Sequence, residues 1–412
     1  MSRIIEILKT QISTKKDLVD DFFAQKFAQN PAIFYNSVDL RHSGFKIAPV
    51  DTNCFPAGFN NISGISKIKA QKVAAEFLEK NFAQHQSLKI MIIPENHTRN
   101  LRYLENLASL QEILQNSKTS VIIGSLIADL KEKTELDLEN GQKITLHPIT
   151  RNGTKIQTID NFTPDLIILN NDLTSGAPEI LKNLDIPITP ATNLGWYNRS
   201  KSGHFTIYNE LASELSQILE IDPWLISSMH RMCNKVDFKN HVGFECLANH
   251  VDDLIAKLKE KYREYDIKDE PYCYIKADSG TYGMAIMTAF SGAEILDINK
   301  KERNKMNMLK ESTQNTAVMI QEGIQTIDKI NDMSAEPMIY MINGEVVGNL
   351  FRANANRNQQ NSLNSAGASF FDLENLPQDQ LCLGCKKDNM KMIYSTISRL
   401  AALSSSIEIK HL

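Results

Sequence analysis

The sequence predicts an α/β chain: an N-terminal doubly wound parallel-sheet domain of residues 1–225, followed by a second α+β domain of residues 226–412. Three observations predict it. From about residue 65 apolar runs alternate with segments of helical spacing, the pattern of strands joined by crossover helices. After about residue 205 the texture changes to helices and strand pairs without that alternation. The 412 residues are also enough for two or three domains at roughly 150 residues each.

The elements follow in order. Residues 1–23 carry apolar positions at helical spacing, and charges interrupt every run, so they predict an amphipathic helix rather than a signal peptide. Residues 67–82 repeat that spacing. The run KIMIIPEN, closed by Pro94, predicts a buried strand. Residues 101–115 are helical again, and apolar runs at 120–128, 163–173 and 186–191 predict three more strands. Between 130 and 160 the dipeptides Asn140-Gly141 and Asn152-Gly153 predict tight hairpins. Residues 205–232 predict a helix broken at Asp222-Pro223, and 246–264 a charged amphipathic helix. Strands are expected at 272–276, 284–290 and 318–324, and a helix at 297–313. A hairpin is expected over 335–353 around Asn343-Gly344, and a closing helix near 388–406.

Composition excludes several classes. The 45 basic and 49 acidic side chains leave a net charge of −4, which argues against an electrostatic nucleic-acid binder. No run of about 18 apolar residues occurs, so no membrane span is expected. Six scattered cysteines do not form a disulfide framework and fit a reducing cytoplasm. Cys382-Leu-Gly-Cys385 lacks the partner ligands of a zinc site and reads as ordinary thiols. Cys54 reads as structural, because reactivity needs a lowered pKa.

Chemistry concentrates in Tyr274-Ile-Lys276-Ala-Asp-Ser-Gly280-Thr-Tyr-Gly283-Met-Ala-Ile-Met287. A strand delivers a lysine, a loop with two glycines follows, and then a second apolar strand. Glycines let backbone N–H groups approach phosphate oxygens, and the lysine offers a point charge to the same oxygens. Neither a Walker loop nor a dinucleotide fingerprint is present. The residues alone fit a plain hairpin with a Gly-rich turn as well. In a parallel sheet, ligands sit beyond the carboxyl ends of the strands, where this chain places the polar runs 94–100 and 170–176.

The wider order is Lys235, then strand–Lys276–Gly loop–strand, then Val318-Met-Ile-Gln321-Glu322-Gly-Ile324, then the hairpin through Glu345, with Arg352. Over about residues 230–368 it resembles the ATP-grasp superfamily, most closely its glutathione-synthetase-like branch. That resemblance implies an ATP-grasp domain of two subdomains. It makes Lys235 and Lys276 the phosphate lysines, and Gly280 and Gly283 the loop glycines. It puts Gln321, Glu322 and Ile324 at the adenine edge and Arg352 at the transferred phosphate. The usual Asp and Glu-x-Asn magnesium ligands have no counterpart before the end of the sequence. Magnesium would then fall to Glu336, Glu345 or an Asn-rich run including Asn354, Asn356 and Asn364.

Across the whole chain, the segments APVDTNCFPAGFNN (48–61), IPENHTRN (93–100), ILNNDLTSGAP (168–178), NLGWYNRSKSGHF (193–205), NKVDFKNHVGFEC (234–246) and SLNSAGASFFDL (362–373) are similar to a proteobacterial family of glutamate–cysteine ligases. The resemblance implies ATP-dependent joining of the glutamate side-chain carboxylate to the cysteine amine, with ATP and Mg2+ as cofactors. The implied partners are small molecules, with no nucleic acid and no membrane, and a homo-oligomer is left open. Another ATP-grasp ligase such as glutathione synthetase, a small-molecule kinase, or a non-catalytic nucleotide-binding regulator are the alternatives. Glutamate wants cationic forks for its carboxylates and acceptors for its ammonium. Arg99, Arg199 and Lys201 offer the first, Asp51 and Glu95 the second, and Asn53 directional hydrogen bonds. His97 and His204 sit in polar stretches and fit solvated or structural roles as well as catalytic ones.

Overall fold

The computed structural model describes residues 3–96, 99–279, 286–307, 317–380 and 386–412. The chain begins with helices α1 (Arg3–Thr14) and α2 (Lys16–Gln29). Ile4, Ile5, Leu8 and Ile12 give α1 one buried stripe. Strands β1 (Tyr35–His42) and β2 (Ile47–Asn53) then pair antiparallel. Helix α3 (Gly64–Phe82) starts where the Ser63 hydroxyl accepts from the Ser66 N–H.

The parallel sheet comes next. Strand β3 (Leu88–Pro94) crosses over through helix α4 (Leu101–Leu114) to β4 (Thr119–Ser125). Strands β5 (Thr134–Asp137), β6 (Lys143–Asn152) and β7 (Lys155–Thr158) are joined by turns with Gly141 and Gly153 at positive φ, where the Asn-Gly pairs placed them. Strands β8 (Leu166–Asn170) and β9 (Ile188–Thr189) complete the order β5-β6-β4-β3-β8-β9, with β7 on β6. Helix α4 packs on one face of this sheet. The other face carries Met91, Ile93, Ile167 and Leu169, and it meets Phe55, Leu173, Leu181 and Leu194 from loops and 3-10 turns. The expected double winding is therefore corrected among the described residues: helix lies on one side and irregular chain on the other. Short apolar turns bury that second face without a crossover helix.

Helix α5 (Lys201–Leu219) ends before the expected break at Pro223. The helical spacing suggested continuation to 232, but residues 230–233 form strand β10 (His230–Cys233), because β13 offers a hydrogen-bonding edge. Helix α6 (Phe244–Glu264), β11 (Cys273–Ala277), β12 (Ile286–Ala289), α7 (Gly292–Leu296), α8 (Lys300–Asn307) and β13 (Val318–Glu322) follow. Their strands form an antiparallel sheet, β10-β13-β11-β12, against which α6 buries Leu247, Val251, Leu254 and Leu258.

The last sheet joins both ends of the chain. Strands β14 (Lys329–Ile330), β15 (Met333–Ile342), β16 (Glu345–Asn354) and β17 (Ser369–Asp372) combine with β1 and β2 in the order β17-β16-β15-β1-β2, with β14 on β15. Val38 pairs with Ile339, so residues on both sides of position 225 share this sheet. Helix α9 (Lys387–Glu408) lies with α1 and α5 on one face, its Ile397, Leu400 and Leu403 against Val38, Leu40, Ile339 and Phe351. No described helix is long and apolar enough to cross a membrane.

Candidate active site

The opposite face of the same sheet carries a set of polar side chains, and it forms the floor of a cavity of about 730 Å³. Period-two alternation creates it. In β1, Val38 and Leu40 point to the helices while Ser37, Asp39 and Arg41 line the cavity. In β15, Ile339 faces the helices while Glu336, Met338 and Tyr340 line the cavity, and Arg352 joins them from β16. Asp51 and Asn53 come from β2, Lys201 from the first turn of α5, Tyr274 and Lys276 from β11, Asp172 from the end of β8, and Asn364 from the loop before β17.

The floor is an ionic lattice. Arg352 donates to Asp39 Oδ2 at 2.8 Å and to Glu336 Oε1 at 2.7 Å. Arg41 lies 2.5 Å from Glu336 Oε2 and donates to the carbonyls of Gln359 and Asn361 at 2.9 and 2.7 Å. Burial opposes the charge on Arg352, but Asp39 and Glu336 outweigh it and hold the guanidinium protonated.

The walls carry two ammonium groups. Lys276 donates to the Val50 carbonyl at 2.9 Å and to Gln321 Oε1 at 2.7 Å. Burial lowers its pKa to about 8, against the pull of Asp51. Lys201 donates to Asp51 Oδ1 at 2.9 Å, its ammonium 4.1 Å from the Trp196 ring centre. Burial works against the Asp51 charge, yet Lys201 and Lys276 hold that carboxyl well below the usual range.

Seven of the expected residues thus share one cavity: Asp51, Asn53, Lys201, Lys276, Glu336, Arg352 and Asn364. Others lie elsewhere. Arg199 is buried, gripping Glu408 at 3.2 Å and the Thr52 carbonyl at 2.6 Å, so it ties α9 to β2 rather than lining the cavity. His204 joins that knot, 2.9 Å from Glu408. Glu322 spends its carboxylate on Lys46 at 2.7 Å, Trp224 at 3.0 Å and the Met229 N–H at 3.0 Å. Gln321 reaches the site only through Lys276, and Ile324 sits behind the wall with Ala48 and Val50. Glu95 accepts from the Asp172 N–H at 2.6 Å and so positions the loop after β8. Arg99 and Lys235 are exposed and off the cavity wall. Gly280, Gly283, His97, Cys382 and Cys385 lie outside the described residues. Cys54 is buried, and burial pushes its thiol up to about 11, the mark of an inert sulfhydryl.

The expected magnesium set does not assemble. Glu345 is exposed at the β15–β16 turn, at the opposite end of β16 from Arg352. Glu336 already faces two guanidiniums. Asn354 donates to Ser365 Oγ at 3.1 Å, and its side-chain oxygen accepts from the Asn356 N–H, so it braces the loop that carries Asn364. Among the described residues no group of three or more His, Cys, Asp or Glu is placed to hold a metal. These donors do not fit a divalent cation.

Asp39, Arg41, Asp172 and Tyr274 also line the cavity; the first two escaped sequence reasoning, whereas Asp172 lay in the polar run 170–176 and Tyr274 at the head of the lysine motif. For the first two the signal was present: Ser37-Val-Asp-Leu-Arg41 alternates polar and apolar residues as a strand does.

A mixed α/β fold with guanidinium, ammonium and carboxylate groups converging on one cavity defines a protein built around a small, multiply charged substrate. The chain belongs to the glutamate–cysteine ligase family, whose model matches residues 9–409. It is an enzyme that joins glutamate to cysteine as γ-glutamylcysteine, the first step of glutathione biosynthesis. A solved protein from Methylobacillus flagellatus KT, designated by inference a gamma-glutamylcysteine synthetase, is similar at TM-score 0.91 and 35% identity, over 100% of this chain and 97% of that one. A glutathione synthetase-like effector from Globodera pallida aligns over 90% of this chain and 80% of its own, at TM-score 0.37 and 9% identity. D-alanyl-alanine synthetase A from Vibrio cholerae aligns over 76% and 80%, at 0.36 and 11%. Neither of these two carries weight for fold or function. No curated protein matches significantly.

Proposed function

We propose that the cavity performs the ligation with ATP, by way of a γ-glutamyl phosphate, and that the β10–β13 sheet and the β1–β17 sheet clamp the nucleotide as the two subdomains of an ATP-grasp enzyme. The observation that supports it is the convergence of Lys276 and Arg352, delivered by different sheets, on one cavity. Phosphoryl transfer needs positive charge fixed where the transferred oxygens pass, and it needs no nucleophilic side chain.

Lys276 and Arg352 neutralise the phosphate charge in this reading. Lys276 exchanges the Val50 carbonyl for phosphate oxygen, while its hydrogen bond to Gln321 keeps its side chain in line. Lys201 binds a glutamate carboxylate and Asp51 accepts from the glutamate ammonium, the pair being already aligned. Asn53, whose side-chain oxygen fixes the Phe55 N–H at 2.8 Å, holds the turn beside Asp51. Arg41, 2.5 Å from the other oxygen of Glu336, anchors that carboxylate and so keeps Arg352 in place.

The test is phosphate release from ATP by the purified protein with glutamate alone, cysteine alone, both or neither. Release that requires both supports the ligase route through ATP. Release indifferent to cysteine overturns it, and a phosphorylated end product without amine dependence would mark a kinase.

A further inference from the structure

Four carboxylates line the cavity among the described residues, and three are spent inside the protein. Asp39 is held by Arg352, Asp51 by Lys201, and Glu336 by Arg41 and Arg352. Asp172 is different. It is only 7% exposed, it lines the cavity, and its Oδ1 is buried with no hydrogen-bond partner. Its main chain is fixed on both sides. Its N–H donates to Glu95 Oε1 at 2.6 Å, and its carbonyl accepts from the Trp196 N–H at 2.9 Å. A buried acceptor held this firmly and left open is costly unless a ligand supplies the donor.

We propose that Asp172 receives the attacking amine: its carboxylate accepts a hydrogen bond from the cysteine ammonium and then takes its proton. This assignment rests on the ligase reading above. The steps balance. The ammonium passes one proton to the Asp172 carboxylate and becomes a neutral amine. Its nitrogen lone pair forms the C–N bond at the γ-carbonyl, and the C–O bond to phosphate breaks with its electron pair. The second proton leaves with the departing phosphate as hydrogen phosphate, and Asp172 returns its own proton to solvent.

The surroundings suit a base near neutrality. Burial first, then the Glu95 carboxylate, pushes Asp172 up to about 7, with Asp51 adding to the rise and Lys201 and Arg199 opposing it. Among the described residues, Tyr35, Tyr103 and Cys54 are further titratable groups that feel its charge, and burial keeps all three protonated. A general base works best when its pKa lies near the working pH.

Hydroxylamine separates proton transfer from everything else, because it is largely neutral at pH 7 and attacks an acyl phosphate without a base. Wild type and Asp172→Asn are each given ATP and glutamate, with either cysteine or hydroxylamine. The variant is expected to lose cysteine ligation by about 100-fold or more, to lose the acid limb near pH 7 in kcat/KM for cysteine, and to form hydroxamate at a rate reduced far less. Equal loss of both products, or retention of cysteine ligation with its acid limb, overturns the role of Asp172. Wild type that forms neither product overturns the ligase reading and this assignment with it. If Asp172→Asn melts well below wild type, Asp172→Ser is read by the same ratio of the two products.

Discussion

Lys276 holds its proton loosely. Buried, and facing a carbonyl and an amide, it sits at about 8 instead of the usual 10.5 of a lysine. Because the folded value lies below the unfolded one, stability on this account rises with pH between about 8 and 10.5 and is lost as pH falls through 8. A nucleotide phosphate beside it raises the value again. ATP binding near pH 8 is therefore expected to take up a fraction of a proton, read as a difference in calorimetric heat between two buffers of unlike ionisation enthalpy. Lys276→Met should bind without that uptake and turn over at least 100-fold more slowly, yet melt no lower than wild type. Buffer-independent heats in the wild type would contradict the role of this lysine. Lys276 was legible through the order of motifs around it, since a lysine before a Gly-containing loop fits a plain hairpin equally well. Arg199 was misread because its partner Glu408 lies 209 residues away and no local pattern announces it.

Elements were legible where burial is uniform. The strands β3, β4 and β8 of the parallel sheet are near-continuous apolar runs and were found as such. The β15–β16 hairpin was found from Asn343 and Gly344, which take φ of 52° and 73° as a tight type I′ turn requires. The strands β1 and β2 went unnoticed because about half of their residues are polar, Asn36, Ser37, Arg41, His42 and Thr52 among them buried, a pattern that reads from sequence as solvated. Helix α9 carries a different hidden link, since Glu408 near its end is the carboxylate on which Arg199 and His204 depend. Glu408→Gln should cost about 3–5 kcal/mol by leaving a guanidinium buried without its charge partner. Chemical denaturation would show the loss, while KM for glutamate stays near wild type because Arg199 does not reach the cavity. A large rise in KM with unchanged stability would return Arg199 to the substrate.

At the scale of the molecule, the cavity belongs to no single stretch of sequence. Its floor needs β1 and β2 from the first 53 residues together with β15 and β16. A fragment of residues 1–225 is expected not to fold cooperatively alone, as read by thermal melting, and to regain structure when co-expressed with 226–412. A sharp melting transition in the lone fragment would show that β1 and β2 are not held by β15.

That shared sheet also sets a timetable. Val38 and Ile339 leave the ribosome about 300 residues apart, a gap of roughly 15–60 s at 5–20 residues per second. For that interval the inner edge of the nascent β1 ribbon has no mate, and edges of that kind recruit stray strands from other chains. The cavity side of that ribbon carries Asp39 and Arg41, charges that serve the finished cavity and that also discourage neighbouring chains on crowded polysomes from annealing there. The residues that equip the enzyme for its substrate thereby guard the polypeptide before any substrate can bind.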